Sequence, residues 1–162
     1  MSVSAKEFRS VMSLYPSGVC VVTTQVENQP PFGLTVNSFT SLSLDPALVM
    51  WNLQKSSDTF KTWHDAEYFG VNMLRADQDS LAKRFAIKGH HGFKDGELAR
   101  GQTGCPLLAD CHASLECAVH ARYEEGDHVI IMGEVVNVLA DPNAAPLTYC
   151  QGTYGMLQAD PS

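Results

Sequence analysis

Long apolar runs are missing from this sequence: no segment approaches the roughly 18 unbroken apolar residues of a membrane span. A membrane protein is therefore not expected. The opening residues, MSVSAKEFRSVMSLYP, lack the basic start and long apolar run of a secretory leader, so the expected location is the cytoplasm. Basic residues are scarce: 11 Lys and Arg stand against 18 Asp and Glu, a net charge of −7. The field of such a chain repels nucleic acid and anionic membrane, and neither is expected as a partner. A small anionic ligand is still allowed, because it needs only a local cluster of donors. No hydrolytic constellation stands out either. There is no G-x-S-x-G elbow, H-E-x-x-H, P-loop or G-x-G-x-x-G. That is the pattern expected where a cofactor carries the chemistry and the protein positions it.

Cysteine is present in an odd number: Cys20, Cys105, Cys111, Cys117 and Cys150. In a reducing compartment these read as free thiols, mostly buried small hydrophobes. The stretch CHASLECAVH (111–120) offers Cys111, His112, Cys117 and His120 as metal ligands. Its Leu115, Cys117, Val119 alternation reads as a strand, however, along which Cys111 and Cys117 lie about 20 Å apart. Two sulfurs so separated do not share an ion with bonds of about 2.3 Å. No metal is expected.

What the chain has instead is a β-rich pattern. Its 162 residues suffice for one domain with a real core, expected over 1–162, and its 44% hydrophobic and 18% charged residues are ordinary for a globular protein. GVCVVTT (18–24), ALVMWNL (47–53) and YFGVNML (68–74) are rich in β-branched and aromatic residues. ASLECAVHARY (113–123) and HVIIMGEVVNVLA (128–140) flank EEGD, the spacing of a long antiparallel hairpin. Three short helices are expected. SAKEFRSVMSLY (4–15) carries Ser4 as N-cap with Glu7 three residues on, a capping box. A second starts at Ser57 or Asp58 and carries Phe60 and Trp63, and a third runs from Asp77 through Leu81 and Phe85. Residues 88–104 hold five glycines and no periodicity, which reads as a long loop. Six or so strands with few helices point to a closed or partly open antiparallel barrel.

One stretch, GLTVNSFTSLSLDP (33–46), begins and ends like a buried strand but turns polar in the middle. Read as one strand of period two, it puts Leu34, Val36, Leu42 and Leu44 on a face with Ser38 and Thr40. A strand that only filled a core would not place two hydroxyls in the centre of its apolar row. Further on, in NLQKSSDTFKTW (52–63), Lys55, Ser56, Ser57 and Thr59 cluster where a strand hands over to a helix. Free N–H groups, the helix dipole and the Lys55 charge favour a phosphate there; the plainer reading is a helix cap with a solvated lysine. The hairpin turn holds Gly126, Asp127 and His128, of which the first two are accounted for by the turn itself.

In order and over most of the chain, these pieces resemble the flavin reductase-like, FMN-binding split-barrel proteins, many of them reductase components of two-component flavin monooxygenases. The resemblance rests on FRSVMSLYPSGVCVVTT (8–24), GLTVNSFTSLSLDPALV (33–49), KSSDT (55–59), FGVNML followed by LAKRF, GCPLL (104–108), LEC (115–117), GDHVIIMGEV (126–135) and PLTYCQGTYG (146–155). It implies a mainly β, six-stranded antiparallel split barrel (a Greek key) with a few short helices, paired as a homodimer with flavin near the subunit interface. Val36, Asn37, Ser38, Phe39 and Thr40 would then run along the isoalloxazine ring. Ser43 and Gln54, Lys55, Ser56, Ser57 and Thr59 would hold the ribityl and phosphate, with Phe85 and Ala86 closing the other side. His128 would meet NADH or NADPH and act catalytically, with Tyr149 and Tyr154 as further nicotinamide candidates. The implied activity is NAD(P)H-dependent reduction of FMN or FAD by hydride transfer, feeding a flavin-dependent monooxygenase. The alternative is an FMN-carrying electron-transfer protein that keeps its flavin. The sequence departs from the family at Pro46-Ala47, where a second proline is usual, and in the paired histidines of GHHGF (89–93).

Overall fold

The computed structural model describes residues 3–157. The expected domain span of 1–162 thus runs beyond the described residues at both ends. The chain opens with α1 (Ala5–Met12), then β1 (Ser17–Gly18), β2 (Cys20–Thr24), β3 (Phe32–Val36), β4 (Thr40–Leu44) and β5 (Ala47–Gln54). α2 (Phe60–Asp65), β6 (Tyr68–Met73), α3 (Asp79–Phe85), β7 (Leu98–Arg100) and β8 (Pro106–Leu108) follow. The long strands β9 (Ala113–Glu125) and β10 (His128–Ala140) precede a short hairpin of β11 (Leu147–Cys150) and β12 (Thr153–Met156). No helix among the described residues is long and apolar enough to cross a membrane.

The fold is mainly β and antiparallel, as expected, but its principal sheet has seven strands rather than six, in the order β3-β2-β6-β9-β10-β5-β4. The extra strand arises because residues 33–46 do not form one strand. They break after Val36 and resume at Thr40. β3 and β4 lie at opposite edges of the sheet, yet only residues 37–39 join them. Four steps of extended chain span at most about 14 Å. A flat sheet of seven strands at about 4.8 Å spacing would hold its edges about 29 Å apart. The sheet therefore has to curl until its edges nearly meet.

The helices follow local chemistry. Ser4 Oγ accepts from Glu7 N at 3.2 Å while the Glu7 carboxylate accepts from Ser4 N at 3.0 Å, the expected capping box. α2 begins at Phe60, later than Ser57 or Asp58, because both side chains are otherwise engaged. Ser57 Oγ accepts from Thr59 N at 3.3 Å, and Asp58 is drawn to a distant loop. α3 begins at Asp79, since the Gln78 side chain caps the preceding turn by accepting from Arg75 N at 2.8 Å. Residues 88–104 are not wholly irregular: β7 pairs with β8, a partner outside the stretch that local periodicity does not reveal.

β2 is buried along its whole length, and period two divides it between two cores. Cys20 and Val22 join Trp51, Trp63 and Phe69, while Val21 joins Leu74, Phe85, Leu108 and Leu147. Trp51 meets Trp63 edge-on at 4.8 Å between ring centroids, and Phe32 meets Trp63 at 5.2 Å. On the face of β9 opposite Leu115 and Cys117 lies a buried carboxylate. Glu116 on β9 is 1% exposed and accepts from Gln102 N at 2.8 Å, Thr103 N at 2.8 Å, Asn137 Nδ2 at 2.7 Å and the Thr103 hydroxyl. Any side chain at Gly101 would collide with this carboxylate, so the loop it anchors needs glycine there.

Burial opposes the Glu116 charge, but its hydrogen bonds outweigh that and hold the carboxyl below the usual Glu value. A depressed native value means that this stabilisation is present above the unfolded-state pKa and is lost as pH falls through the native one. Glu116→Ala is expected to lower unfolding stability by about 3 kcal/mol at neutral pH. The difference should shrink in acid, and urea unfolding at a series of pH values checks both statements.

Candidate functional site

Where the chain crosses from β3 to β4 it borders a cleft of about 460 Å³. β3 contributes Leu34, Thr35 and Val36, and the crossing contributes Asn37 and Ser38. Asn52 and Gln54 come from β5, and Ser56, Ser57 and Asp58 from the connection to α2. The segment after α3 adds Ala86, Lys88 and His91. His128, at the start of β10, joins them because its Cα is paired with that of Gln54.

The crossing is held in place by Ser38, whose Oγ accepts from Asn52 N at 3.0 Å. That bond, at one edge of the cleft, is what the hydroxyl in the apolar row is for. The N–H groups of residues 37–39 donate to no backbone carbonyl among the described residues, since they belong to neither strand. Thr35 fixes the neighbouring helix by donating from Oγ1 to Ala82 O at 2.7 Å.

A second wall is tied across by charge. Asp58 Oδ1 lies 3.1 Å from His91 Nε2, and Asp58 Oδ2 accepts from Gly89 N at 3.0 Å. Burial opposes the Asp58 charge, but the His91 and Gly89 hydrogen bonds outweigh it and keep the carboxyl below its usual value. With its Nε2 proton on Asp58, His91 is left with Nδ1 as a buried acceptor that has no partner among the described residues. The desolvation of such a group costs about 1–3 kcal/mol. At the hairpin turn, His128 Nδ1 lies 2.7 Å from Asp127 Oδ1, and its side chain is 42% exposed. The Asp127 carboxyl is held down, mainly by that bond. A neutral His128 so oriented keeps its proton on Nδ1 and presents Nε2 as an acceptor.

The cleft thus gathers eight of the residues singled out in the sequence: Val36, Asn37, Ser38, Gln54, Ser56, Ser57, Ala86 and His128. The others lie elsewhere. Phe39 packs against the first core cluster, and Thr40 and Ser43 sit on β4, with the Thr40 hydroxyl directed to Ser41 O. Lys55 is drawn away by Glu124, 3.1 Å from its Nζ, while its N–H donates to Asp127 O at 2.9 Å. Thr59 is buried beneath Ser57, their hydroxyls 2.9 Å apart. Phe85 is fully buried in the second core, where it meets Phe93 at 5.8 Å. Tyr149 and Tyr154 pack on each other in the β11–β12 hairpin, 5.1 Å apart. α2 spans only Phe60–Asp65, too short for a substantial helix dipole, so its N-terminus is not the source of positive potential. The lysine that lines the cleft is Lys88; it, Leu34, Thr35, Asn52, Asp58 and His91 are lining residues that the sequence pattern does not single out as such. Asn52 left a trace, as the polar member of ALVMWNLQ on the face opposite Trp51 and Leu53.

Ser38→Ala is expected to leave Asn52 N without its acceptor and to lower stability by about 1–3 kcal/mol. Denaturant unfolding, with Thr40→Ala as a control of little effect, measures this.

A sequence model of the family described as "Flavin reductase like domain" matches residues 12–158. FMN reductase (NADH) SmoA of Agrobacterium fabrum (strain C58 / ATCC 33970) is 38% identical over 94% of this chain and 86% of its own length. The Streptomyces globisporus C-1027 NADH:FAD oxidoreductase SgcE6, solved with NAD and FAD fragments, superimposes with a TM-score of 0.90 at 34% identity, covering 100% of this chain and 99% of its own. The styrene monooxygenase flavin reductase (SMOB) from Pseudomonas putida S12 gives a TM-score of 0.84 at 28% identity, over 94% of this chain and 99% of its own.

Proposed function

The chain belongs to the flavin reductase-like domain family, and from that premise we propose that it reduces a flavin with hydride from NADH and supplies the product to a partner monooxygenase. The observation that carries the reading is the convergence of the β3–β4 crossing, the Ser56–Ser57 segment and His128 on one cleft. Its volume of about 460 Å³ lies in the ordinary range for small-molecule sites.

The donor set fits a flavin. Leu34 and Val36 offer apolar surface to a flat ring, and the free N–H groups of Asn37 and Ser38 suit its polar edge. Asn52 and Gln54 supply amides for the hydroxylated tail. Ser56, Ser57 and Lys88 supply donors and charge for phosphate, the segments bearing them being joined through Asp58 and Gly89. When bound, the flavin supplies the hydride-accepting ring that the protein itself lacks. The residues do the remaining work. They align the reactants, which is the main catalytic requirement of a hydride transfer. With flavin bound, the backbone donors of Asn37 and Ser38 would stabilise negative charge at its polar edge without any ionisable group. His128 holds the nicotinamide nucleotide through its free Nε2, with Asp127 fixing the ring.

Three further readings belong with this one. The curled sheet supports a split barrel. Large exposed apolar side chains support a homodimer: Phe8 is 62% exposed, Val11 64%, Leu44 96% and Val138 62%, more than isolated surface residues require. Five free cysteines, with Cys20, Cys105, Cys111 and Cys117 pushed up to about 12 by burial, suit a reducing cytoplasm.

The direct test is aerobic NADH oxidation by the purified protein with and without added FMN or FAD. Strong stimulation by flavin is expected; a protein that oxidises no NADH with either flavin is not a flavin reductase. His128→Ala should raise KM for NADH about five- to thirtyfold while leaving FMN affinity and dithionite reduction unchanged. Light scattering at micromolar concentration should return twice the chain mass, and a monomer would remove the dimer reading.

A further inference from the structure

Two segments far apart in sequence form adjoining parts of one wall of the cleft, the Ser56–Asp58 connection and the Ala86–His91 loop. The loop is neither helix nor strand, Ile87, Lys88, Gly89 and His90 are exposed, and Gly89 takes a φ of +79°. It is anchored behind the cleft, where the His91 carbonyl accepts from Gly33 N at 2.8 Å and Gly92 O accepts from Arg84 at 2.6 Å. On the cleft side, Asp58 gathers both the His91 imidazole, at 3.1 and 3.3 Å, and Gly89 N. Lys88 lies directly beside these contacts and forms no ion pair among the described residues. Its ammonium stays available to the cleft only while the loop stays closed.

We propose that Asp58 and His91 form a positioning clasp that holds the Lys88 loop over the cleft and sets the rate at which flavin leaves. The proposal rests on the flavin reading of the site. Neither residue touches the reacting atoms; both act by fixing the wall. The clasp joins two segments that the backbone does not otherwise tie on this side, so the cleft widens when it opens. It is a small contact with one nitrogen of the imidazole left bare, which suits a wall that has to release a product as well as retain a substrate.

The test is a double-variant cycle on the full chain, read by stopped-flow release of FMN and of riboflavin. His91→Ala should speed FMN release about tenfold and Asp58→Ala at least as much, since Asp58 also holds Gly89 N, and the double variant should release no faster than Asp58→Ala. Riboflavin release should rise as well, because the wall loosens as a whole. His91→Gln keeps a donor at the Nε2 position toward Asp58 and should restore release to within about threefold of the wild type. Independently of flavin, exchange of the Gly33 amide should quicken in His91→Ala and recover in His91→Gln. Additive effects of the two alanine variants, or release at the wild-type rate in both, overturn the clasp. A wild-type protein that binds neither FMN nor FAD overturns the flavin reading and the clasp with it.

Discussion

Three residues carry the chain from one edge of a seven-stranded sheet to the other. That constraint governs the rest of the structure. It forces the sheet to curl, since no flat arrangement lets so short a segment reach. It also takes residues 37–39 out of any ladder, so their N–H groups have no backbone acceptor among the described residues. The site lies at the seam for the same reason. A curled sheet has a filled interior, here packed by Trp51, Trp63 and Phe69, and open backbone donors are found only where the ladder stops. Ser38 is the price of the crossing made useful: it gives Asn52 N the acceptor that a neighbouring strand would have supplied.

Much of this was legible in the sequence where the cause is local. The Ser4–Glu7 capping box, the long hairpin around EEGD and the interruption at Ser38 are each fixed by residues a few positions apart. What could not be read depends on register between distant segments. Lys55 looks like a phosphate ligand in KSSDT, but the pairing of β5 and β9 on either side of β10 brings Glu124 within reach of it. β9 and β10 carry two register shifts along their length, and no local pattern announces where these fall. Phe85 looks like a lid in LAKRF, yet α3 turns it wholly into the second core. The converse holds for Asp58 and His91, which no local pattern links and which, 33 residues apart, meet only in the fold.

The electrostatics show how an acidic chain accommodates an anionic ligand. The net charge of −7 is spread over the surface, while the cleft lining includes Lys88 and two histidines against one carboxylate, and that carboxylate is already engaged. Local donors decide affinity at contact distance, whereas the distant charge is screened beyond about 10 Å at ordinary salt. Hydride transfer asks for alignment more than for acids and bases. The absence of a nucleophile or catalytic triad in the sequence and the abundance of hydroxyl and amide groups in the cleft are therefore two aspects of one design.

The loop that bears His91 has a second neighbour. On its other side it lies along β3, bonded to Gly33 and bridged between Gly92 and Phe32. β3 is an edge strand, and its outward N–H and C=O groups are a template on which a foreign strand can build. The loop occupies that template. A substitution that loosens it there bares the border of the sheet as well as the wall of the cleft, so one stretch of chain both lines the site and covers an edge.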